Sequence, residues 1–258
     1  MAARLIMTQR PKDRLTIAGN VQSIPMSVLA ELLDRVRAAR GHRPVVVFDL
    51  DSTLFSTQER NHAILQEFAE HIGAPGDLRA AARALQPCDM GWNVVDDLKR
   101  RGFRHAPTLA RLGTFWRHRF FTDDYLRHDQ PLPGAVEYVN AVRDAGATVY
   151  YLTGRDEPGM GRGTRASLEA HGFPLEGADV FLRLKPSFDE ADIVFKRRVL
   201  AELHAIGAVV AAFENEPANA NLFAESFPDA WIVFVETICA PDPPPLLPRI
   251  VRVRDFRR

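Results

Sequence analysis

The stretch "PVVVFDLDSTLF" (residues 44–55) decides how this chain is read. Three valines and Phe48 make a short, β-branched run with no polar face, as in a strand buried on both sides within a parallel sheet. The run ends in two carboxylates, Asp49 and Asp51, either side of Leu50. Ligands of open parallel sheets collect beyond the carboxyl ends of the strands, so the acids fall where a site is expected. Two carboxylates this close raise one another's pKa unless a cation or a proton compensates. Asp49 therefore suits metal binding and nucleophilic attack, and Asp51 suits proton exchange as general acid and base. An isolated D-x-D would equally fit two strand-end acids that cap a helix or face water.

Outward from this strand, elements alternate. Before it, Val28, Leu29, Leu32, Leu33 and Val36 recur at helical spacing over residues 26–40, with Gly41 as a stop. After it, "TVYYLT" (148–153), "DVFLRL" (179–184), "AVVAAF" (208–213) and "WIVFV" (231–235) read as core strands, and "IVRVRDF" (250–256) as an edge strand. Helical stripes lie between them: Val136, Val139 and Val142, then Val199, Leu200, Leu203 and Ile206. The alternation predicts an α/β fold with a doubly wound parallel sheet. The proline-rich "APDPPPLLP" (240–248) reads as an extended surface connection.

About a hundred residues separate the first two strands, more than one crossover needs, and a structureless loop of that length is improbable in a compact domain. The interval carries helical stripes: Ile64, Leu65, Phe68 and Ile72, then "VVDDL" (94–98), then "LARLGTFWRHRFF" (109–121). The expected organisation is a leader (1–24), a catalytic core (25–56 and 130–258) and an inserted helical subdomain (57–129).

Composition narrows the class. The 258 residues are 46% hydrophobic and 26% charged, as in an ordinary soluble globular protein. Lys plus Arg and Asp plus Glu balance at 33 each, which speaks against nucleic-acid or membrane-surface partners. No apolar run approaches the ~20 residues of a bilayer span. "MAARLIMTQRPKDR" lacks the apolar core of a signal peptide, and Cys88 and Cys239 make no metal-ligand pattern. A cytoplasmic protein with free thiols is the expectation, a lone disulfide the alternative.

"DLDST" (49–53) after a hydrophobic strand resembles the first signature of the haloacid dehalogenase superfamily of hydrolases, and the other signatures follow in order. "YLTGRD" (151–156) resembles the second, in which a hydroxyl holds the transferring phosphoryl group. The resemblance gives that task to Thr153, helped by the backbone N–H of Gly154. For Arg155 beside it, substrate contact and an internal ion pair with Asp156 are both open. The third signature is a lysine that neutralises nucleophile and phosphoryl oxygens. Lys196 in "DIVFKRRVLAEL" (192–203) is the first choice, and Lys185 in "LKPS" (184–187) the alternative. The fourth supplies metal-binding acids, and here the chain departs from the pattern: in "ENEPANANLF" (214–223), Glu214 stands where the first Asp is usual and Asn219 in the second acid's place. Glu216 is a rival ligand, with a helix-mouth position as its plainer explanation, and Asn215 a further one.

The resemblance implies a Rossmann-like core with a helical cap. It implies Mg²⁺ held by Asp49, the backbone carbonyl of Asp51, Glu214 and Asn219. It also implies a phosphatase that acts through an aspartyl phosphate on a small phosphorylated metabolite, a nucleotide or sugar phosphate being among the options. An acid at Asp51 separates phosphatases from dehalogenating relatives, whose leaving halide needs no proton. A phosphotransferase or mutase of the same fold, or a non-catalytic binding protein, is the alternative; oligomeric state is not readable.

Two features of the insert bear on specificity. Residues 97–128 hold eight basic residues (Lys99, Arg100, Arg101, Arg104, Arg111, Arg117, Arg119, Arg127) against three acids, which suits either a multiply anionic substrate or a solvated surface. Trp116, Phe120 and Phe121 suit base stacking or internal packing of the cap. "PCDMGWN" (87–93) reads as a loop dipping toward the metal.

Overall fold

The computed structural model describes residues 27–39, 43–70 and 76–258. The leader, the Gly41 stop and Ile72 lie outside them. A helix, α1 (Ser27–Ala38), precedes the first strand, β1 (Pro44–Phe48), whose five residues are all buried. After a tight turn comes β2 (Phe55–Ser56), then an insert of four helices: α2 (Gln58–Glu70), α3 (Gly76–Ala84), α4 (Val94–Arg100) and α5 (Ala106–Phe120). The chain returns through a 3-10 segment (Asp123–His128) and β3 (Gln130–Pro131). Then follow α6 (Ala135–Asp144), β4 (Thr148–Asp156), α7 (Glu157–Ala170), β5 (Val180–Lys185) and α8 (Asp192–Leu203). The chain closes with β6 (Ala208–Glu214), α9 (Pro217–Ser226), β7 (Trp231–Val235) and β8 (Val251–Val253).

Six strands form one sheet in the order β5-β4-β1-β6-β7-β8, and every pairing is parallel. Alternation along β1 explains its unbroken hydrophobicity. Val46 and Phe48 pack with Leu32 and Leu33 of α1 and Tyr138 and Val139 of α6 on one face. Val45 and Val47 pack with Phe195 and Val199 of α8 and Phe223 of α9 on the other. A two-sided strand needs apolar residues at every position. From β1 the chain winds outward through β4 and β5, then crosses to β6, β7 and β8, so the crevice beyond the ends of β1, β4 and β6 is the topological switch point.

The turn after β1 sends the chain into the insert. The Leu50 carbonyl accepts from the N–H groups of Thr53, Leu54 and Phe55, and Ser52 takes a left-handed φ of 59°. β2 then pairs antiparallel with β3, so the insert leaves and re-enters through one two-stranded stem. The insert has its own apolar cluster, including Leu65, Leu78, Leu98 and Leu112. Its return segment rests on the Gly-rich start of α7, "EPGMGRGT" (157–164). The Gly163 N–H donates to Asp123 Oδ1 at 2.6 Å, and a Cβ on Gly163 would come within 2.4 Å of the Asp123 carbonyl oxygen. That close backbone approach requires glycine.

Candidate active site

Beyond a register shift between Val45 and Val46, β1 and β6 pair steadily up to Phe48 and Phe213, and the Asp49 N–H extends the ladder by donating to the Phe213 carbonyl at 3.1 Å. Asp49 and Glu214 therefore emerge side by side at the switch point. Lys196, on the first turns of α8, reaches between them: its Nζ donates to Asp49 Oδ1 at 2.8 Å and to Glu214 Oε2 at 2.7 Å. All three side chains are buried. Burial, and then the Glu214 charge, push Asp49 up to about 7 even against the opposing pull of Lys196. Burial also raises Glu214. Lys196 would be lowered by the same burial, but its two carboxylates outweigh this and hold it charged.

Asp51 meets a different environment. Its Oδ1 accepts from Arg60 at 2.8 Å and from the Nε of Arg155 at 3.0 Å, with a second bond from the Arg155 fork. Both guanidiniums also bind Asp129: Arg60 in a two-pronged grip, Arg155 at 2.8 Å. Arg60, Arg155 and Asp129 have no exposed side-chain surface, while Asp51 keeps 31%. Burial alone would raise Asp51, but Arg155 and then Arg60 override it and hold the carboxyl well below the ordinary range. In this arrangement Asp51 is ionised, and the two arginines that keep it so also weaken it as a base.

The remaining candidates surround these two centres. Thr153, near the end of β4, is buried, and its Oγ1 accepts from the Arg155 N–H. Gly154 lies so close to Asp192 that a Cβ would sit 2.1 Å from its carboxylate. Lys185 is held at 2.8 Å by Asp192 and donates to the Phe188 and Glu190 carbonyls. Glu214 Oε1 accepts from the N–H groups of Asn215 and Glu216. Glu216 caps α9 by position and binds the Ala240 N–H; burial, largest among its causes, pushes it up to about 7. Asn219 lines the same crevice from the first turn of α9.

This donor set fits a small hard dication. Asp49, Glu214 and Glu216 are carboxylates whose ionisation burial penalises, and among the described residues Lys196 is the one cation bonded to the first two. An Mg²⁺ wants few protein oxygens and keeps several waters. Among the described residues no three His, Cys, Asp or Glu side chains are grouped so as to hold a metal ion between them, so a metal here would rest on fewer carboxylates together with backbone, amide and water oxygens.

These groups line one side of a cavity of about 310 Å³, whose other side comes from the insert through Trp92, Trp116, Phe120 and Phe121. A family model of haloacid dehalogenase-like hydrolases matches residues 44–220. The chain belongs to the haloacid dehalogenase-like hydrolases. No curated protein sequence matches it. Solved structures share the fold. A haloacid dehalogenase-superfamily hydrolase of Geobacter sulfurreducens (16% identity, 85% of this chain and 96% of that one) has a TM-score of 0.53. Protein Tyrosine Kinase A of Mycobacterium tuberculosis (18%, 84% and 96%) also gives 0.53. A candidate phosphatase of Clostridium difficile (13%, 79% and 90%) gives 0.51.

Within this haloacid dehalogenase-like fold, Asp49, Asp51, Thr153, Gly154, Arg155, Lys196, Glu214 and Asn219 all line the one cavity. Lys185 lines it too, but it is Lys196 that touches Asp49. Arg155 is an ion-paired residue, with Asp51 and Asp129 as partners; Asp156 instead caps α7 by accepting the Gly159 N–H at 2.8 Å. The eight basic residues of 97–128 line none of the cavity, and Lys99, Arg100, Arg101 and Arg119 pair with Asp96, Asp97, Asp89 and Glu67. The loop 87–93 does reach the cavity, through Trp92. Both cysteines are free. No helix among the described residues is long and apolar enough to cross a membrane. Sequence reasoning missed Arg60 and Asp129. A signal for Arg60 existed: it shares the i, i+4, i+8 stripe of Ile64 and Phe68, where a charge demands a buried partner.

Proposed function

We propose that this hydrolase is a Mg²⁺-dependent phosphatase that cleaves a small phosphorylated metabolite through an aspartyl phosphate on Asp49. The observation that carries the reading is the Asp49–Lys196–Glu214 cluster at the floor of the cavity, beside Thr153. An Asp49 oxygen attacks phosphorus and the bond to the leaving oxygen breaks. Lys196 and the Thr153 hydroxyl stabilise the charge that gathers on the phosphoryl oxygens. Asp51 gives a proton to the leaving oxygen and takes one back from the water that then opens the acyl phosphate. Both transfers require Arg60 and Arg155 to slacken their hold as the phosphate dianion arrives, so that Asp51 is protonated when the ester binds. Bound Mg²⁺, held by Asp49, the Asp51 backbone carbonyl, Glu214 and Asn219, supplies the neutralisation that lets two anions meet. The helical insert acts as the cap over the site.

The test is hydrolysis of a panel of phosphate esters with Mg²⁺ and with chelator. Activity that needs the metal and disappears in Asp49→Asn supports the reading; a wild-type protein as inert as the variant across the panel overturns it. Transfer of the phosphoryl group to a sugar hydroxyl in place of water identifies a phosphotransferase.

Two substitutions separate the rivals. Lys196→Met is expected to lower kcat by roughly 10²–10³, the usual loss for one preorganised electrostatic group, whereas Lys185→Met stays within about tenfold of wild type. Steady-state kinetics on both decides between the lysines. Glu214→Gln is expected to raise the Mg²⁺ concentration for half-maximal activity by at least about tenfold, and Glu216→Gln by less, because Glu214 converges with Asp49 on one ammonium. A metal titration that reverses this order makes Glu216 the ligand.

A further inference from the structure

Opposite the acids, the cavity wall is aromatic. Trp116, Phe120 and Phe121 come from the C-terminal end of α5, Trp92 from the 87–93 loop, and Phe188 from the connection between β5 and α8. Trp116, Phe120, Phe121 and Phe188 form a connected set: Trp116 and Phe121 meet edge-on at 5.7 Å, and Phe121 and Phe188 at 5.1 Å. Trp92 and Phe188 stand at 44% and 43% exposure, two of four large hydrophobic residues so exposed among the described residues. Exposed aromatic surface at the mouth of a cavity marks a binding face more often than a packing accident.

The wall offers little to a polar ligand. The indole N–H of Trp116 is taken by Asn61 Oδ1 at 2.7 Å, so the ring presents only carbon. The cations that line the cavity are Arg155, Lys185 and Lys196, and each is bound to a carboxylate. Sugar hydroxyls or a second phosphate placed against these rings would lose water without gaining partners, a cost of the kind that discriminates against polar ligands. A flat ring without polar edges would stack against the wall and bury carbon against carbon.

Resting on the phosphatase reading, we infer that the substrate is a phosphomonoester whose alcohol carries a flat, apolar aromatic ring, seated against Trp92, Trp116, Phe121 and Phe188 while its phosphate faces Asp49. A nucleobase is disfavoured because, with the Trp116 N–H taken, these rings leave its several polar edge atoms no acceptor and, as donor, at most the indole N–H of Trp92.

The experiment has a binding arm and a turnover arm, both on the full chain with Mg²⁺. In calorimetry, phenylphosphonate is expected to bind at least about tenfold more tightly than methylphosphonate, and Trp92→Ala and Phe188→Ala each to erase about three- to tenfold of that preference. Both rings are at the rim, so the variants leave the core intact. For turnover, 2-phenylethyl phosphate is compared with glucose 6-phosphate and AMP; all three leave as primary alcohols, so leaving-group reactivity does not bias the comparison. The expected result is a lower KM for the phenylethyl ester, raised three- to tenfold by either variant with kcat within about twofold, the pattern of lost uniform binding. Equal binding of the two phosphonates, or KM values unmoved by either substitution, overturns the inference even if every ester is hydrolysed. Tight phenylphosphonate binding without turnover of any ester leaves the aromatic site standing and overturns the phosphatase reading instead.

Discussion

Asp49→Asn is expected to be inactive and, without metal, more stable than wild type at pH 8. The loss of the nucleophile should lower kcat by about 10⁴-fold or more, or about 5.5 kcal/mol of barrier. Stability moves the other way because Asp49 is raised from the ordinary 3.8 to about 7 in the folded protein. Between those values the folded chain holds a proton that the unfolded chain has released. Stability conferred by that proton is complete below pH ~4 and lost as pH rises through ~7. Above that window the ionised, buried carboxylate costs on the order of 3–4 kcal/mol, which the neutral amide does not incur. Urea denaturation in chelator across pH 4–8 should show the variant pulling ahead as pH rises and converging with wild type at the acid end. A variant less stable than wild type at pH 8 would show that its bond to Lys196 outweighs burial. One that keeps more than about a hundredth of the activity would falsify the nucleophile assignment.

Arg60→Met should be among the most damaging single changes away from the sheet core. Arg60 joins the first helix of the insert to Asp51 and Asp129, and neither its side chain nor that of Asp129 has any exposed surface. Removing it leaves Asp129 with Arg155 alone and an unmet share of buried negative charge, for which the usual cost is about 3–5 kcal/mol. The Arg60 guanidinium also lies 4.4 Å from the Phe120 ring centroid, so the aromatic wall should loosen as well. The expected result is an unfolding free energy lowered by that amount, read from urea denaturation. Activity should fall further than the unfolded fraction accounts for, because Asp51 loses one of its two holders. Arg60→Met and Asp129→Asn combined should cost less than the sum of the two, since each removes the other's partner. Strict additivity would mean that the ion pair is not coupled.

The core was legible because its signals are local. β1, β4, β6 and β7 are β-branched runs at the places the pattern gives, and the strand ending in Asp49 points to the switch point without any tertiary information. The choice of lysine was harder: Lys185 ends β5 and Lys196 lies on α8, and that helix had to be docked before Lys196 Nζ met Asp49. The charge surplus of 97–128 did not mark the cavity, since composition does not say which face a helix turns inward; four of those bases pair with nearby acids and none lines the cavity, while Trp116 and Phe120 reach it.

The run from Pro44 to Phe55 already specified a buried parallel strand with a two-carboxylate end, because alternation and burial are properties of neighbouring residues. What it could not specify was that the two acids would differ so far in proton affinity. Asp49 draws one lysine shared with Glu214, while Asp51 draws two arginines from segments that lie nine and 104 positions away. A pKa is set by the charges and solvent around a group in space, so the difference in proton affinity between Asp49 and Asp51 arises only when the insert's first helix and the end of β4 close around one turn.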